Sequence, residues 1–203
     1  MGRGRRSLPT LLAGLLALSA LLPLGGSCGG APPELDTLFR VPDFELLDQD
    51  GASFEVSSLD GQVWIASFLF TRCSATCPTL AGQLSNLQSR LSGYRGRVRI
   101  VSITVDPEHD DPPALSAFGE RFGRDPAMWT LLGGDPRAVR EVLQRGFLQP
   151  DPERREVEVA PGYDVFHGTS VLLIDRTRTC RGVFSLSGDG MDTLVRAITY
   201  LAD

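Results

Sequence analysis

The 203-residue chain contains no lysine, and all 20 of its basic residues are arginine. That is the kind of bias genome base composition imposes, and it carries no functional weight. Positive charge is not in surplus either: the formal net charge is −5, which leaves no electrostatic footprint for nucleic acid. There is no internal repeat. The one long apolar stretch, Leu11 to Leu24, is interrupted by Gly14, Ser19 and Pro23 and is too short for the roughly 20 apolar residues of a membrane-spanning helix. Histidine and cysteine are scarce, at two and four residues, so the position of each is informative. What the chain does have is enough apolar residues, 42%, to bury one core without covalent staples.

The N-terminus reads as an export signal. Arg3, Arg5 and Arg6 precede the apolar stretch, and the small residues Gly25 to Ser27 follow it. Cys28 comes directly after "LGGS", a placement that fits attachment of lipid to the thiol; cleavage near Ala31 and an uncleaved anchor are the competing readings. Residues 1–28 are thus assigned to an export segment, 29–40 to a Pro- and Gly-containing linker, and 41–203 to the folded domain. Removing the first segment takes three arginines and no acid, which makes the remainder more acidic still.

Within the domain, apolar positions flank Asp50-Gly51 and predict a hairpin. "VWIASFLF" (63–70) and "VRIVSITV" (98–105) read as strands covered on both faces. Between them, Leu80, Leu84, Leu87 and Leu91 recur at helical spacing. A helix with Leu115, Phe118 and Phe122 follows Pro112-Pro113, and another opens with Asp135 as N-cap and Pro136 at the first helical position. "TSVLLID" and "RGVFSL" pair as antiparallel strands, and Met191 to Leu201 close the chain as an amphipathic helix. This order implies an α/β, thioredoxin-like fold: a central, mostly parallel sheet with an antiparallel β-hairpin edge and helices on both faces.

Chemistry in such sheets gathers at the carboxyl ends of the strands. There lies "TRCSATCPTL", with three residues between Cys73 and Cys77 and Pro78 directly after. Proline disfavours α conformation in the residue before it, so Cys77 is expected at the edge of the helix. The helix dipole and Arg72 then lower the thiol pKa and favour thiolate, the form that both ligates metals and attacks disulfides. With nothing apolar around them in the sequence, these are working thiols. A redox couple able to close a Cys73–Cys77 disulfide and one wall of a metal site both remain open, because three intervening residues exceed the two of thioredoxin-type exchange without forbidding it.

A third ligand separates the two. His167 lies in "YDVFHGTSVLLID", just before a predicted strand. Thioredoxin-like proteins usually carry a cis-proline in that loop, facing the active cysteines; here Thr169 fills the position and His167 stands two residues earlier.

The blocks "FLFTRCSATCPTL", "SITVDPEHDDP" and "YDVFHGTSVLLID" resemble, in this order, the three motif blocks of the SCO/SenC family, and the resemblance runs from about residue 40 to the end. The family's members are membrane-tethered copper proteins of thioredoxin fold that help assemble the dinuclear copper centre of cytochrome c oxidase. The resemblance implies that Cys73, Cys77 and His167 bind copper. Two departures stand out: no proline follows the first cysteine, and the start is lipoprotein-like where the family commonly has a transmembrane anchor. Two thiolates and an imidazole form a soft, low-coordinate set suited to Cu(I). Structural zinc normally takes four ligands, and a fourth would have to come from Cys180, His109 or a carboxylate. Cys180 reads as a bystander opening the second hairpin strand, and the loop around His109 as a solvated turn, with Asp106 placed to tune the thiols.

The resulting expectation is a metallochaperone rather than an enzyme. It would be periplasmic, outside the cytoplasmic membrane and anchored to it, and would carry Cu(I)/Cu(II) to the copper-bearing subunit of cytochrome c oxidase. Another periplasmic copper chaperone or a thiol reductant would serve it. The alternative is a thiol–disulfide oxidoreductase that keeps the oxidase's copper-site cysteines reduced. A peroxidase of the peroxiredoxin type shares the "VPDFELLDQDG" opening but needs a different cysteine layout.

Overall fold

The computed structural model describes residues 1–2, 34–148, 154–156, 163–165 and 170–203. Contacts divide the chain between Ala31 and Pro32, and the fold is that of the C-terminal unit, Pro32–Asp203. The export segment and Cys28 lie outside the described residues. Among the described residues no helix is long and apolar enough to cross a membrane.

A hairpin comes first, β1 (Glu45–Asp48) and β2 (Ser53–Glu55). Its turn is closed by the Asp48 carboxylate, which accepts from the N–H groups of Asp50 and Ala52, both at 2.9 Å, while Gly51 takes φ +77. Then come β3 (Val63–Leu69), α1 (Thr76–Arg90), β4 (Val98–Thr104), α2 (Pro112–Arg121), β5 (Trp129–Gly133) and α3 (Pro136–Glu141). A short pair follows, β6 (Arg154–Glu156) with β7 (Tyr163–Val165), and β8 (Val171–Ile174), β9 (Cys180–Phe184) and α4 (Asp189–Ala202) complete the chain.

The main sheet has seven strands in the order β2-β1-β5-β4-β3-β8-β9. Its centre, β5-β4-β3, is parallel, and antiparallel hairpins flank it on both sides. All seven residues of β3 are buried. Alternate residues of a strand point to opposite faces, so both faces of the sheet are covered, as the unbroken apolar run predicts. Leu80, Leu84 and Leu87 of α1 are buried, each contributing about 1.5–3 kcal/mol by leaving water.

Two features differ from the sequence reading. The strand β5 was not foreseen, although its five residues are all buried and it extends the parallel core. At five residues, ended by Gly133-Gly134, it is too short for periodicity to reveal it. The linker also joins the domain earlier than residue 41. Leu38 N–H donates to Cys180 O at 3.0 Å, Cys180 N–H to Phe39 O at 2.8 Å, and the Arg181 guanidinium reaches Asp36 O at 2.6 Å. An edge strand exposes unpaired peptide groups, and this segment supplies partners for those of β9.

Candidate metal centre

The strand β3 delivers the chain to the carboxyl edge of the sheet and ends at Leu69. A turn follows in which Cys73 N–H approaches Phe70 O at 3.4 Å, and α1 begins at Thr76, so Cys77 is its second residue. Pro78 in this first turn breaks nothing, because the opening N–H groups of a helix have no acceptor within it. Ala75 stands at the N-cap and offers no side-chain bond. The Cys73 sulfur takes over that role, accepting from the Cys77 N–H at 3.3 Å, with the Thr76 hydroxyl 3.7 Å away. The two sulfurs are not bonded to one another.

Burial pushes the Cys73 thiol up. Hydrogen bonds from the backbone and thiol of Cys77, the Ala75 N–H and the Thr76 hydroxyl outweigh it and hold the pKa below the ordinary cysteine value. The direction is the one the helix start predicts. The surroundings are not: Cys73 is only 6% exposed and Cys77 fully buried, both within the main hydrophobic core. Sequence neighbours such as Ser74 and Thr76 gave no sign of this, because the core that buries the pair is gathered from residues distant along the chain.

The loop after β4 lies beside the pair. Asp106 is fully buried, and its carboxylate meets Arg72 at 3.4 Å and His109 Nδ1 at 2.9 Å. It therefore holds Arg72, the residue before Cys73, but it is not among the groups that set the Cys73 pKa. Asp110 is fully buried as well. The reading of "DPEHDDP" as a solvated turn is corrected for these two acids. It holds for Asp111, whose side chain caps α2 by accepting from Ala114 N–H at 2.9 Å.

Cys180 opens β9 as expected and is fully buried, with burial raising its thiol pKa. His167 and Thr169 lie outside the described residues. Among the described residues, no three His, Cys, Asp or Glu side chains form a group able to hold a metal ion, so a third ligand for the sulfur pair would have to come from elsewhere.

The SCO1/SenC family profile matches residues 34–202, nearly the whole of the folded unit. The chain belongs to the SCO1/SenC family. It is 35% identical over 150 residues to the SCO1 protein homolog of Bacillus subtilis, covering 73% of this chain and 75% of that one. It is 34% identical to a Stutzerimonas stutzeri protein provisionally named as copper-binding, over 70% of this chain and 67% of the other. Among solved structures, a SCO1/SenC family lipoprotein from Bacillus anthracis superposes with a TM-score of 0.71 at 28% identity, covering 84% of this chain and 98% of that one. BsSco, described as having a disulfide switch and as a member of the Sco family of cytochrome c oxidase assembly proteins, gives 0.68 at 27% identity, with 81% and 94% covered.

The thioredoxin-like architecture inferred from the order of elements is thus the architecture of the family. Sequence reasoning did not single out two polar residues beside the cysteine loop, Thr71 and Thr104, whose hydroxyls both donate to the Asp110 carboxylate. A signal was present, since Thr104 is a polar residue at the carboxyl end of β4, the edge of the sheet at which the cysteine loop begins.

Proposed function

We propose that this chain is an exported copper metallochaperone. Reduced Cys73 and Cys77 take Cu(I) together with His167, and the ion passes to the dinuclear copper site of cytochrome c oxidase. The observation that carries this is the sulfur pair at the start of α1, one sulfur already held toward thiolate by the other's N–H at 3.3 Å. Two soft sulfurs suit Cu(I). The copper-binding name of the Stutzerimonas relative supports the cargo, and that of BsSco supports the link to oxidase assembly. The Bacillus anthracis lipoprotein supports a lipid tether, here on Cys28, outside the cytoplasmic membrane.

Copper is cargo in this scheme. An incoming thiolate of the acceptor adds to the ion, one protein thiolate leaves and takes up a proton, and repetition completes the transfer. The ion stays Cu(I) throughout, so no electron donor is needed.

The lowered pKa of Cys73 also favours a second reading, thiol–disulfide exchange that keeps the oxidase's copper-site cysteines reduced. The thiolate of Cys73 attacks a partner disulfide, and Cys77 displaces the second partner sulfur as a thiol, leaving a Cys73–Cys77 disulfide for a reductant. A disulfide has no thiolate to offer Cu(I), so reduction has to precede loading.

The test is a Cu(I) titration of the reduced chain from residue 32 against a competing chelator. Retention of one equivalent, falling at least tenfold in His167→Ala with the circular dichroism spectrum unchanged, is the expected result. Unchanged retention in His167→Ala removes that residue from the site, and no retention by the unsubstituted chain removes copper altogether.

A further inference from the structure

Thr71 stands two residues before Cys73, where the chain leaves β3 and turns toward α1. Its N–H donates to both carboxylate oxygens of Asp110, at 3.2 and 3.1 Å, and its hydroxyl donates to Oδ1 at 2.6 Å. The other oxygen accepts from the Thr104 hydroxyl at 2.5 Å, and that hydroxyl in turn accepts from the Asp106 N–H at 3.0 Å. The turn's own bond, Cys73 N–H to Phe70 O, is long at 3.4 Å. The two residues immediately before Cys73 are thus each gripped by a fully buried carboxylate from the loop after β4, Thr71 by Asp110 and Arg72 by Asp106.

A buried carboxylate is a costly way to fix a turn. Apolar residues of similar volume commonly do it as well or better, and burial does push the Asp110 carboxyl up. What the carboxylate provides is direction: three donors from two segments converge on one group and set the angle at which the chain enters the cysteine loop.

We propose that Asp110 is a positioning residue for the thiol pair, acting through Thr71 to hold Cys73 where the Cys77 N–H can reach its sulfur. This deepens the reading of Cys73 and Cys77 as the copper-holding and redox thiols and rests on it. When the grip is lost, the turn relaxes, the 3.3 Å contact opens, and the reduced form of the pair loses a stabilising bond.

Three variants of the full-length chain test this: Asp110→Ala, Thr71→Val and Thr71→Ser. Thr71→Val is nearly isosteric and removes only the hydroxyl bond, so it stays informative if Asp110→Ala does not fold. In folded protein, the reduction potential of the Cys73–Cys77 couple is read by equilibration with glutathione, and Cu(I) retention by chelator competition. Thr71→Val is expected to shift the dithiol–disulfide equilibrium about tenfold toward disulfide, roughly 30 mV more negative, and to lower Cu(I) retention severalfold. Thr71→Ser, which keeps both bonds, restores both values. A residue that merely supported the fold would lower the melting temperature and leave the potential of the folded molecules unchanged. That result, or a Thr71→Ser variant indistinguishable from Thr71→Val, overturns the proposal. The potential is measured without copper, so it reports on positioning even if the unsubstituted chain retains none.

Discussion

The N–H of Cys77 points at the sulfur of Cys73 across 3.3 Å, and this contact joins the start of α1 to the loop that precedes it. A helix leaves its first N–H groups without carbonyl partners, and an oxygen side chain usually supplies one. Here the sulfur of Cys73 does. The same bond that caps the helix favours the thiolate, so the stability of the helix start and the reactivity of the thiol are coupled.

One consequence is selective alkylation. With limiting iodoacetamide at neutral pH, Cys73 reacts before Cys77 and Cys180, because its pKa is lowered and it alone of the three retains some exposure. Peptide mass mapping after a short pulse measures the order. Cys77 or Cys180 labelled first contradicts the assignment of Cys73 as the thiolate.

The reading of Cys180 as a bystander gives a paired test. Cys180→Ser places a hydroxyl in a fully buried site and destabilises the protein by about 1–3 kcal/mol, yet leaves Cu(I) stoichiometry unchanged. Cys77→Ser abolishes Cu(I) retention and traps a mixed disulfide on Cys73 when an oxidised partner is supplied. Loss of copper in Cys180→Ser, measured on folded protein, argues for a four-ligand site.

Acid stability depends in part on Asp175, which closes the β8–β9 turn. Burial raises its pKa, but bonds from Thr177 Oγ1 (2.7 Å), the N–H groups of Thr179 (3.0 Å) and Thr177 (2.8 Å) and the Arg181 guanidinium (3.1 Å) win, and the net shift is downward. A carboxyl depressed in the folded state adds stability that is present above the unfolded value of about 3.9 and is lost as pH falls through the folded one. Asp175→Asn should therefore cost about 1–2 kcal/mol at pH 7 and progressively less below pH 4, measured by denaturant unfolding across pH. Asp110 has the opposite sign. Burial raises its pKa, so its contribution is complete below the unfolded carboxyl value and declines as pH rises through the folded one.

Packing under the site separates stability from chemistry. Leu84 of α1 is fully buried in the hydrophobic core. Leu84→Ala should destabilise the domain by about 2–5 kcal/mol, while Cu(I) retention by the folded fraction stays within a factor of two. Thermal and chemical denaturation measure the first quantity, and chelator competition below the transition measures the second.

Much of this molecule was legible in its residues. The apolar runs at 63–70 and 98–105 gave the two long parallel strands, and the leucine spacing from residue 80 gave α1 between them. Pro78 set Cys77 at the helix edge, and Pro112-Pro113 and Asp135 marked two N-termini that the structure places where expected. The strand β5 was hidden because five buried residues carry no period. The burial of Cys73, Cys77, Asp106 and Asp110 was hidden for a related reason: hydropathy is read along the chain, whereas burial is imposed from across it.

The sequence by itself determined which groups can do chemistry: two soft sulfurs with three residues between them, two imidazoles, and a β-α-β order that places the sulfurs at the carboxyl edge of a sheet. Only the tertiary structure decided the state of those sulfurs. The lowered pKa of Cys73 depends on peptide and side-chain donors brought to within hydrogen-bonding distance by the turn into α1, and the entry to that turn is held by carboxylates more than thirty residues further along the chain. Residue type fixes what a group can donate or accept; what it meets is fixed by the fold, because hydrogen bonds and desolvation act over a few ångströms of space and take no account of distance along the chain.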